Sequence, residues 1–147
     1  MDSKALEMLF ERDLFKLKEE LSSFENEENL WKTAGGISNS SGNLAMHLIG
    51  NLNHFIGATL GNTGYVRNRE FEFAGKNVAR EQILKSIDET IIMLKQVLPK
   101  VDSTEMTKDF PLNFQGQHPT GHYLLHFYGH FTYHLGQINY LRRVLEG

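Results

Sequence analysis

The sequence predicts an all-α protein, a four-helix bundle, on three observations. Apolar residues recur at spacings of three and four in four separate stretches, as the buried face of an amphipathic helix requires. Glycine, asparagine, serine and proline separate these stretches and mark the turns between helices. The chain has 147 residues, 40% of them hydrophobic, which is enough to bury a core without a disulfide or a metal. We therefore expect one domain over residues 1–147.

The first two helices are predicted between residues 3 and 60. Helix one covers residues 3–25, where the apolar face consists of Leu6, Phe10, Leu14, Leu17, Leu21 and Phe24. The stretch GGISNSSGN at residues 35–43 follows, and its serine and asparagine side chains can cap the next helix. Helix two runs from Asn43 to Leu60. The segment that follows, up to Asn77, has no helical period, and we predict a short strand at Phe71–Phe73.

The last two helices are predicted on either side of a second long connection. Helix three runs from Ala79 to Leu98, where Pro99 stops it because proline cannot continue the hydrogen-bond ladder. Helix four runs to Leu145, with Thr120 as its N-cap. The connections after helices two and three are long enough to cross the bundle, so an up-down-down-up order is as compatible with the sequence as a simple up-down order.

The composition and the charge exclude several functions. The chain has no cysteine, so disulfides and thiolate ligands are excluded, and any metal must be bound by His, Asp or Glu. A net charge of −3 provides no positive field for phosphate backbones, and we expect no nucleic acid partner. The first residues, MDSKALEMLFERDLF, mix charged with apolar side chains, so we expect no signal peptide, no membrane span and a cytoplasmic location.

The seven histidines are the strongest functional signal in the sequence. They lie in two places, helix two and the segment that leads into and along helix four: His47, His54, His118, His122, His126, His130 and His134. From His122 onward they are spaced by four residues, about one helical turn, and neighbouring imidazoles at this spacing can share one metal ion.

Direction and distance select two of these histidines as ligands. His122 and His134 are separated by about 18 Å of helix rise, so all four cannot bind one ion. The apolar arc of helix four contains His134 and has His130 at its edge, while His126 lies farther out and His122 farther still. We therefore predict His130 and His134 as ligands facing the bundle interior and His126 as a residue at the rim of the site.

A third ligand is expected from helix two, which offers two candidates. His47 and His54 lie on one stripe, about 10 Å apart along the helix, so they cannot both bind the same ion. Their angular positions are almost equal, and spacing alone leaves the choice between them open.

The sequence resembles the DinB-like family of bacterial bundle proteins. The resemblance lies in the run HFYGHFTYHLGQI on the last helix, in NLAMHLIGNLNHFIG on helix two, and in LGNTGYVRNREFEF with the following REQIL. It implies a four-helix bundle in the crossed order, often a homodimer. It also implies one divalent ion, usually nickel or zinc, bound by His47, His130 and His134. Despite the name of the family, the resemblance implies no DNA-binding activity.

Two functions are compatible with such a site. Three histidines leave a coordination position open, which is typical of a reactive ion: a metal-dependent transferase that uses a small thiol, or a hydrolase of a small molecule. The alternative is a non-catalytic bundle in which the ion is structural or merely held. Glu70 and Glu72 are the nearest carboxylates, although charged residues in such a connection are more often solvated. Arg67 and Arg69 could meet an anionic substrate.

The segment beyond His134 offers one residue that could support the site. Gln137 lies one turn farther along helix four and could hydrogen-bond a ligand or a bound water molecule, or else satisfy the backbone.

Overall fold

The computed structural model describes Met1–Gly147 and consists of six helices joined by turns, with no strand. The helices, in chain order, are α1 (Ser3–Ser23), α2 (Ser41–Leu52, continued by a π-helical segment Asn53–Ala58 and a last turn Thr59–Gly61), α3 (Arg69–Ala74), α4 (Arg80–Val97), α5 (Ser103–Thr107) and α6 (Thr120–Glu146). Two 3₁₀ turns occupy Glu27–Trp31 and Leu98–Lys100. The all-α prediction is confirmed, and the four long helices lie where the apolar periodicity places them.

The four long helices run up-down-down-up. Contacts between pairs of helices fix their directions. Helices α1 and α4 are joined by Glu11–Lys95 and Lys18–Asp88, and α1 and α6 by Arg12–Tyr128 and Glu20–Asn139. Helices α2 and α4 are joined by Asn53–Thr90 and by the approach of Gly57 to Met93. Helix α4 is thus antiparallel to α1, α6 is parallel to α1, and α2 is parallel to α4. Of the two long connections, the one from α2 to α4 therefore crosses the bundle, whereas the one from α4 to α6 joins helix ends on the same side.

The sequence prediction is wrong at two places in these connections. Phe71–Phe73 does not form a strand but belongs to α3, whose N-terminus is capped by the Asn68 side chain accepting from the Phe71 amide. A helix of six residues is too short to display a 3.6-residue period, which is why the pattern missed it.

Thr120 is not the N-cap of α6. It is the first helical residue, and Pro119 occupies the capping position without a side-chain bond. The Thr120 amide donates instead to the Lys108 carbonyl at 2.8 Å, and the Phe110 amide donates to the His118 carbonyl at 3.0 Å. Backbone bonds from the preceding connection therefore replace the expected side-chain cap.

The core is one cluster of 27 buried apolar residues, to which all four long helices contribute. The apolar face predicted for α1 is buried throughout, from Leu6 at 3% exposure to Phe24 at 1%. No helix is both long enough and apolar enough to cross a membrane.

Candidate metal centre

Three histidines converge on the side of the core where α2 packs against α6. Ring nitrogens of His47, His130 and His134 all lie within 4.8 Å of one another. Nε2 of His47 is 3.1 Å from Nε2 of His130. His47 is buried, and the other two are half-buried, so the cluster lies at the edge of the core and is partly open to solvent.

The antiparallel packing of α2 and α6 creates this convergence. His130 and His134 stand one turn apart on α6, with ring centroids 4.6 Å apart. The structure brings His47 to this pair and leaves His54 out of the cluster. His54 lies two turns farther along, at the start of the π-helical segment, about 10 Å of helix rise from His47 and thus out of reach of the same ion.

Glu72 supports the histidine cluster from a position that the sequence pattern does not reveal. Charged residues in such a connection are more often solvated, but Glu72 lies on α3 with only 5% of its surface exposed. Its Oε1 is 3.0 Å from Nδ1 of His47. Arg67 donates to both carboxylate oxygens, through Nε and Nη2, each at 2.8 Å. A ligating histidine commonly donates its second N–H to such a carboxylate, which orients the ring and fixes its tautomer.

Two residues of α2 make room for Glu72 and hold its backbone. A Cβ added at Gly50 would lie 1.9 Å from Oε2 of Glu72, so only glycine allows the carboxylate to approach α2 here. The Asn43 side-chain amide donates to the carbonyls of Glu72 at 2.9 Å and of Gly75 at 2.8 Å. The fold thus attaches α3 to α2 directly beside His47.

The two histidines of α6 have different partners. Nδ1 of His134 is 2.7 Å from Oε1 of Gln137, an exposed neutral side chain three residues farther along the helix. The expectation that Gln137 could hydrogen-bond a ligand agrees with this contact. Nδ1 of His130 is buried and has no hydrogen-bond partner. Each of the three imidazoles therefore has a different environment at the nitrogen that faces away from the cluster.

The electrostatics of the cluster favour neutral imidazoles on α6 and an ionised Glu72. Burial, with the neighbouring His134 and His47, lowers the pKa of His130 to about 3. Burial also lowers the pKa of His134, although the bond with Gln137 opposes the shift. For Glu72, burial alone would raise the pKa, but the hydrogen bonds from His47 and Arg67, together with the Arg67 charge, lower it. Neutral imidazole is the form that binds a metal.

The donor set fits a divalent transition-metal ion. Imidazole nitrogens bind zinc at about 2.0–2.1 Å, which places neighbouring donors about 3.0–3.4 Å apart. The 3.1 Å between His47 and His130 lies within this range, and small side-chain rotations would bring in His134. Three imidazoles suit several first-row ions, zinc and nickel included, and leave at least one coordination position open.

A cavity of about 210 Å³ adjoins the cluster and is lined by two of its histidines, His47 and His130. The polar part of its wall also contains Asn51, Arg67, Arg69, Gln115 and His126, and the apolar part consists of Phe55, Phe114 and Phe127. His126 is thus at the rim, as predicted from its direction. Both arginines of the crossover reach this wall, whereas no carboxylate lines it.

The remaining histidines lie outside the cluster. His118 and His122 stack on each other with ring centroids 4.1 Å apart, at the entry to α6. Neither belongs to the group that could hold an ion. His122 thus takes no part in the cluster, as the helix rise predicts.

Comparison with known proteins gives a family without an assigned activity. The model of the family described as "Protein of unknown function (DUF1572)" matches residues 6–147. No curated protein matches the chain.

Proposed function

The chain belongs to the DUF1572 family of proteins of unknown function, and we propose that it binds one divalent ion, nickel or zinc, through His47, His130 and His134. We further propose that the ion is catalytic and acts on a small molecule, in a transfer to or from a small thiol or in a hydrolysis. The observation that supports both parts is the convergence of three imidazoles within 4.8 Å beside a cavity that two of them line.

The cavity is what favours a catalytic over a structural ion. A structural zinc site is normally closed by four protein ligands, whereas a catalytic site keeps a position open. Here three side chains supply the donors, and no cysteine or carboxylate completes the set. At about 210 Å³ the cavity is smaller than sites that hold drug-sized ligands, which favours a small substrate.

Some residues around the ion orient its ligands, and one is close enough to a bound molecule to take up its proton. When bound, a divalent ion supplies Lewis acidity and lowers the pKa of a coordinated water or thiol. Glu72 holds the Nδ1 proton of His47, so that Nε2 of His47 presents its lone pair to the cluster. Gln137 does the same for His134. His126, on the cavity wall one turn before His130, is placed to accept a proton from a molecule bound there.

Metal content of purified variants tests the ligand assignment. We expect about one ion per chain in the wild type by elemental analysis, and its loss in His47→Ala and His130→Ala, because two imidazoles hold an ion far more weakly than three. His122→Ala removes a histidine from the same helix outside the cluster and serves as the matched control. Unchanged metal content in His130→Ala would overturn the assignment.

Chelation distinguishes a catalytic from a structural ion. If the ion is catalytic, its removal should abolish turnover of small thiol-acceptor or ester substrates while the melting temperature falls only modestly. If the bundle merely holds or needs the ion, removal should lower the melting temperature strongly, and no turnover should be found before or after it.

Kinship with the DinB-like family and a homodimeric state belong to the same proposal. The crossed order of helices and the cluster of His47, His130 and His134 support the kinship. The dimer is supported by Tyr133 and Tyr140, which are 64% and 68% exposed on one side of α6. Sedimentation of the purified protein tests the dimer.

A further inference from the structure

We propose that the cavity beside the histidine cluster binds a small carboxylate with a short apolar tail, held by Arg69, Arg67 and Asn51. This inference rests on the proposed metal site and names the class of molecule that the site receives. It is carried by three properties of the cavity wall: its charge, an unpartnered buried amide and a group of stacked aromatic rings.

The charge of the wall favours an anion. Arg67 and Arg69 both line the cavity, and no carboxylate does. Glu72 neutralises Arg67 from outside the cavity, so the Arg69 charge and that of a bound divalent ion are left without a counter-charge. Positive charges that face a small, partly enclosed space attract an anion more strongly than they would in bulk water.

Arg67 is held in a fixed position and keeps a donor available. Its Nε and Nη2 are bonded to Glu72, while its Nη1 makes no hydrogen bond. The guanidinium also lies over the Phe55 ring, 5.8 Å from the centroid. A guanidinium held in this way offers its remaining N–H groups to a carboxylate at little further cost in side-chain entropy.

Asn51 is a buried polar side chain of the cavity wall that makes no hydrogen bond within the protein. It lines the cavity, is only 8% exposed, and its Oδ1 is buried without a hydrogen bond. Oδ1 is an acceptor and cannot bond a carboxylate, but the Nδ2–H groups of the same amide also make no hydrogen bond within the protein and can donate to one. Asn51 stands one turn beyond His47 on α2, so a molecule bonded to its amide would lie next to the cluster.

Three phenylalanines supply the apolar part of the wall. Phe55 stacks on Phe127 with centroids 4.9 Å apart and on Phe114 with centroids 4.7 Å apart. A ligand that places an anionic group among Asn51 and the arginines would therefore set its remaining atoms against these rings. A short-chain carboxylate has both an anionic group and an apolar tail, whereas inorganic phosphate has no apolar part.

Titration of the zinc-loaded protein with butanoate tests the proposal without using activity. We expect saturable NMR shifts of the Asn51 side-chain amide and the Arg69 Nε–H, and no such shifts with the neutral analogue butanamide. Butanoate should bind more tightly than acetate, by about fourfold for each additional methylene buried.

Two variants and one matched control assign the binding to these residues. Arg69→Gln should weaken butanoate binding about tenfold, the usual order for a lost bond to a charged group. Asn51→Asp should abolish it, because it places a carboxylate in the cavity. Arg143→Gln is the control: Arg69 is exposed and lies over the Phe73 ring, and Arg143 is likewise exposed and lies over the Tyr140 ring, but far along α6 from the cavity. It should bind butanoate as the wild type does.

The outcomes separate this inference from the proposed function. If the wild type takes up no zinc, the proposed function fails. If it takes up zinc but responds equally to butanoate and butanamide, or if zinc-loaded Arg69→Gln and Asn51→Asp both bind butanoate as tightly as the wild type, the inference fails and the metal site stands.

Discussion

The two sides of the metal centre hold their histidines in different ways. On the α2 side, His47 is bonded to a buried carboxylate that is itself bonded twice to Arg67. On the α6 side, His134 is bonded to Gln137, which is neutral, exposed and on the same helix. The first arrangement needs two separate segments of the chain, α2 and residues 67–72, whereas the second needs one. We infer that the α2 side sets the geometry of the centre and that the α6 side adjusts to it.

Removal of the buried carboxylate should have the largest effect. Glu72→Ala leaves the Arg67 charge buried without its partner, and breaking such a pair costs about 3–5 kcal/mol of the free energy of unfolding. Metal affinity should fall about 10–100-fold, because His47 loses the group that orients it. Denaturant unfolding and competition with a chromophoric chelator measure the two effects. Glu70→Ala changes a neighbouring exposed carboxylate, and an equal effect there would contradict the comparison.

A methyl group added at Gly50, which would crowd the Glu72 carboxylate from α2, should have the second largest effect. Gly50→Ala places a methyl group where Oε2 of Glu72 lies, so we expect a loss of about 1–3 kcal/mol from overpacking and a weaker metal affinity. Gly136→Ala on α6 is the matched control, because nothing lies within 4 Å of its added Cβ. There the change should stabilise the helix by up to about 1 kcal/mol. Stabilisation by both substitutions would show that Glu72 moves freely.

In the metal-free protein, His130 on the α6 side and Glu72 on the α2 side should lower the free energy of unfolding in different pH ranges. Below about pH 6.5 the unfolded chain binds a proton at His130, whereas the folded chain stays neutral there down to a pKa of about 3, so stability falls as the pH falls across this interval. The pKa of Glu72 is lowered in the folded state, so its contribution is present above the ordinary carboxylate pKa and is lost below it.

Denaturant unfolding of the metal-free protein at a series of pH values separates these two contributions. His130→Gln should flatten the dependence between about pH 6.5 and 4.5, and Glu72→Gln should flatten it only below about pH 4.5. A wild-type free energy of unfolding that stays constant from pH 7 to pH 5 would contradict the role given to His130.

Changes at Gln137 should have the smallest effect. Gln137→Ala removes one neutral, exposed hydrogen bond, so stability should change by less than about 0.5 kcal/mol and metal affinity by less than about tenfold. Gln137→Glu gives His134 a carboxylate like that of His47, and it should strengthen metal binding relative to the wild type. Chelator competition measures both variants, and a loss in Gln137→Ala as large as that in Glu72→Ala would remove the distinction between the two sides.

The apolar periodicity predicted the long regular helices and the residues that face the core, but it did not predict the short segments that pack beside the histidine cluster. The four long helices and the inward direction of His130 and His134 follow from spacings that a 3.6-residue turn enforces. The choice between His47 and His54 could not be made from spacing, because two histidines seven residues apart lie on one stripe of a helix and only the packing of α2 against α6 decides which of them meets His130 and His134. The buried position of Glu72 was not predicted, because α3 is six residues long and is placed by Asn43 and Gly50, which are distant in sequence.

The π-helical segment Asn53–Ala58 also determines where α2 can lose a residue without a change in the rest of the helix. A π-helical turn holds one residue more than an α-helical turn, so this segment already accommodates a surplus residue. Loss of one residue there would convert the segment to ordinary α-helix and leave the helix before it unchanged. Loss of one residue between Ser41 and His47 would rotate His47 by about 100° relative to Ser41 and the rest of the N-terminal turn. The second half of α2 is therefore the part in which natural or engineered changes of length can occur without moving the metal centre.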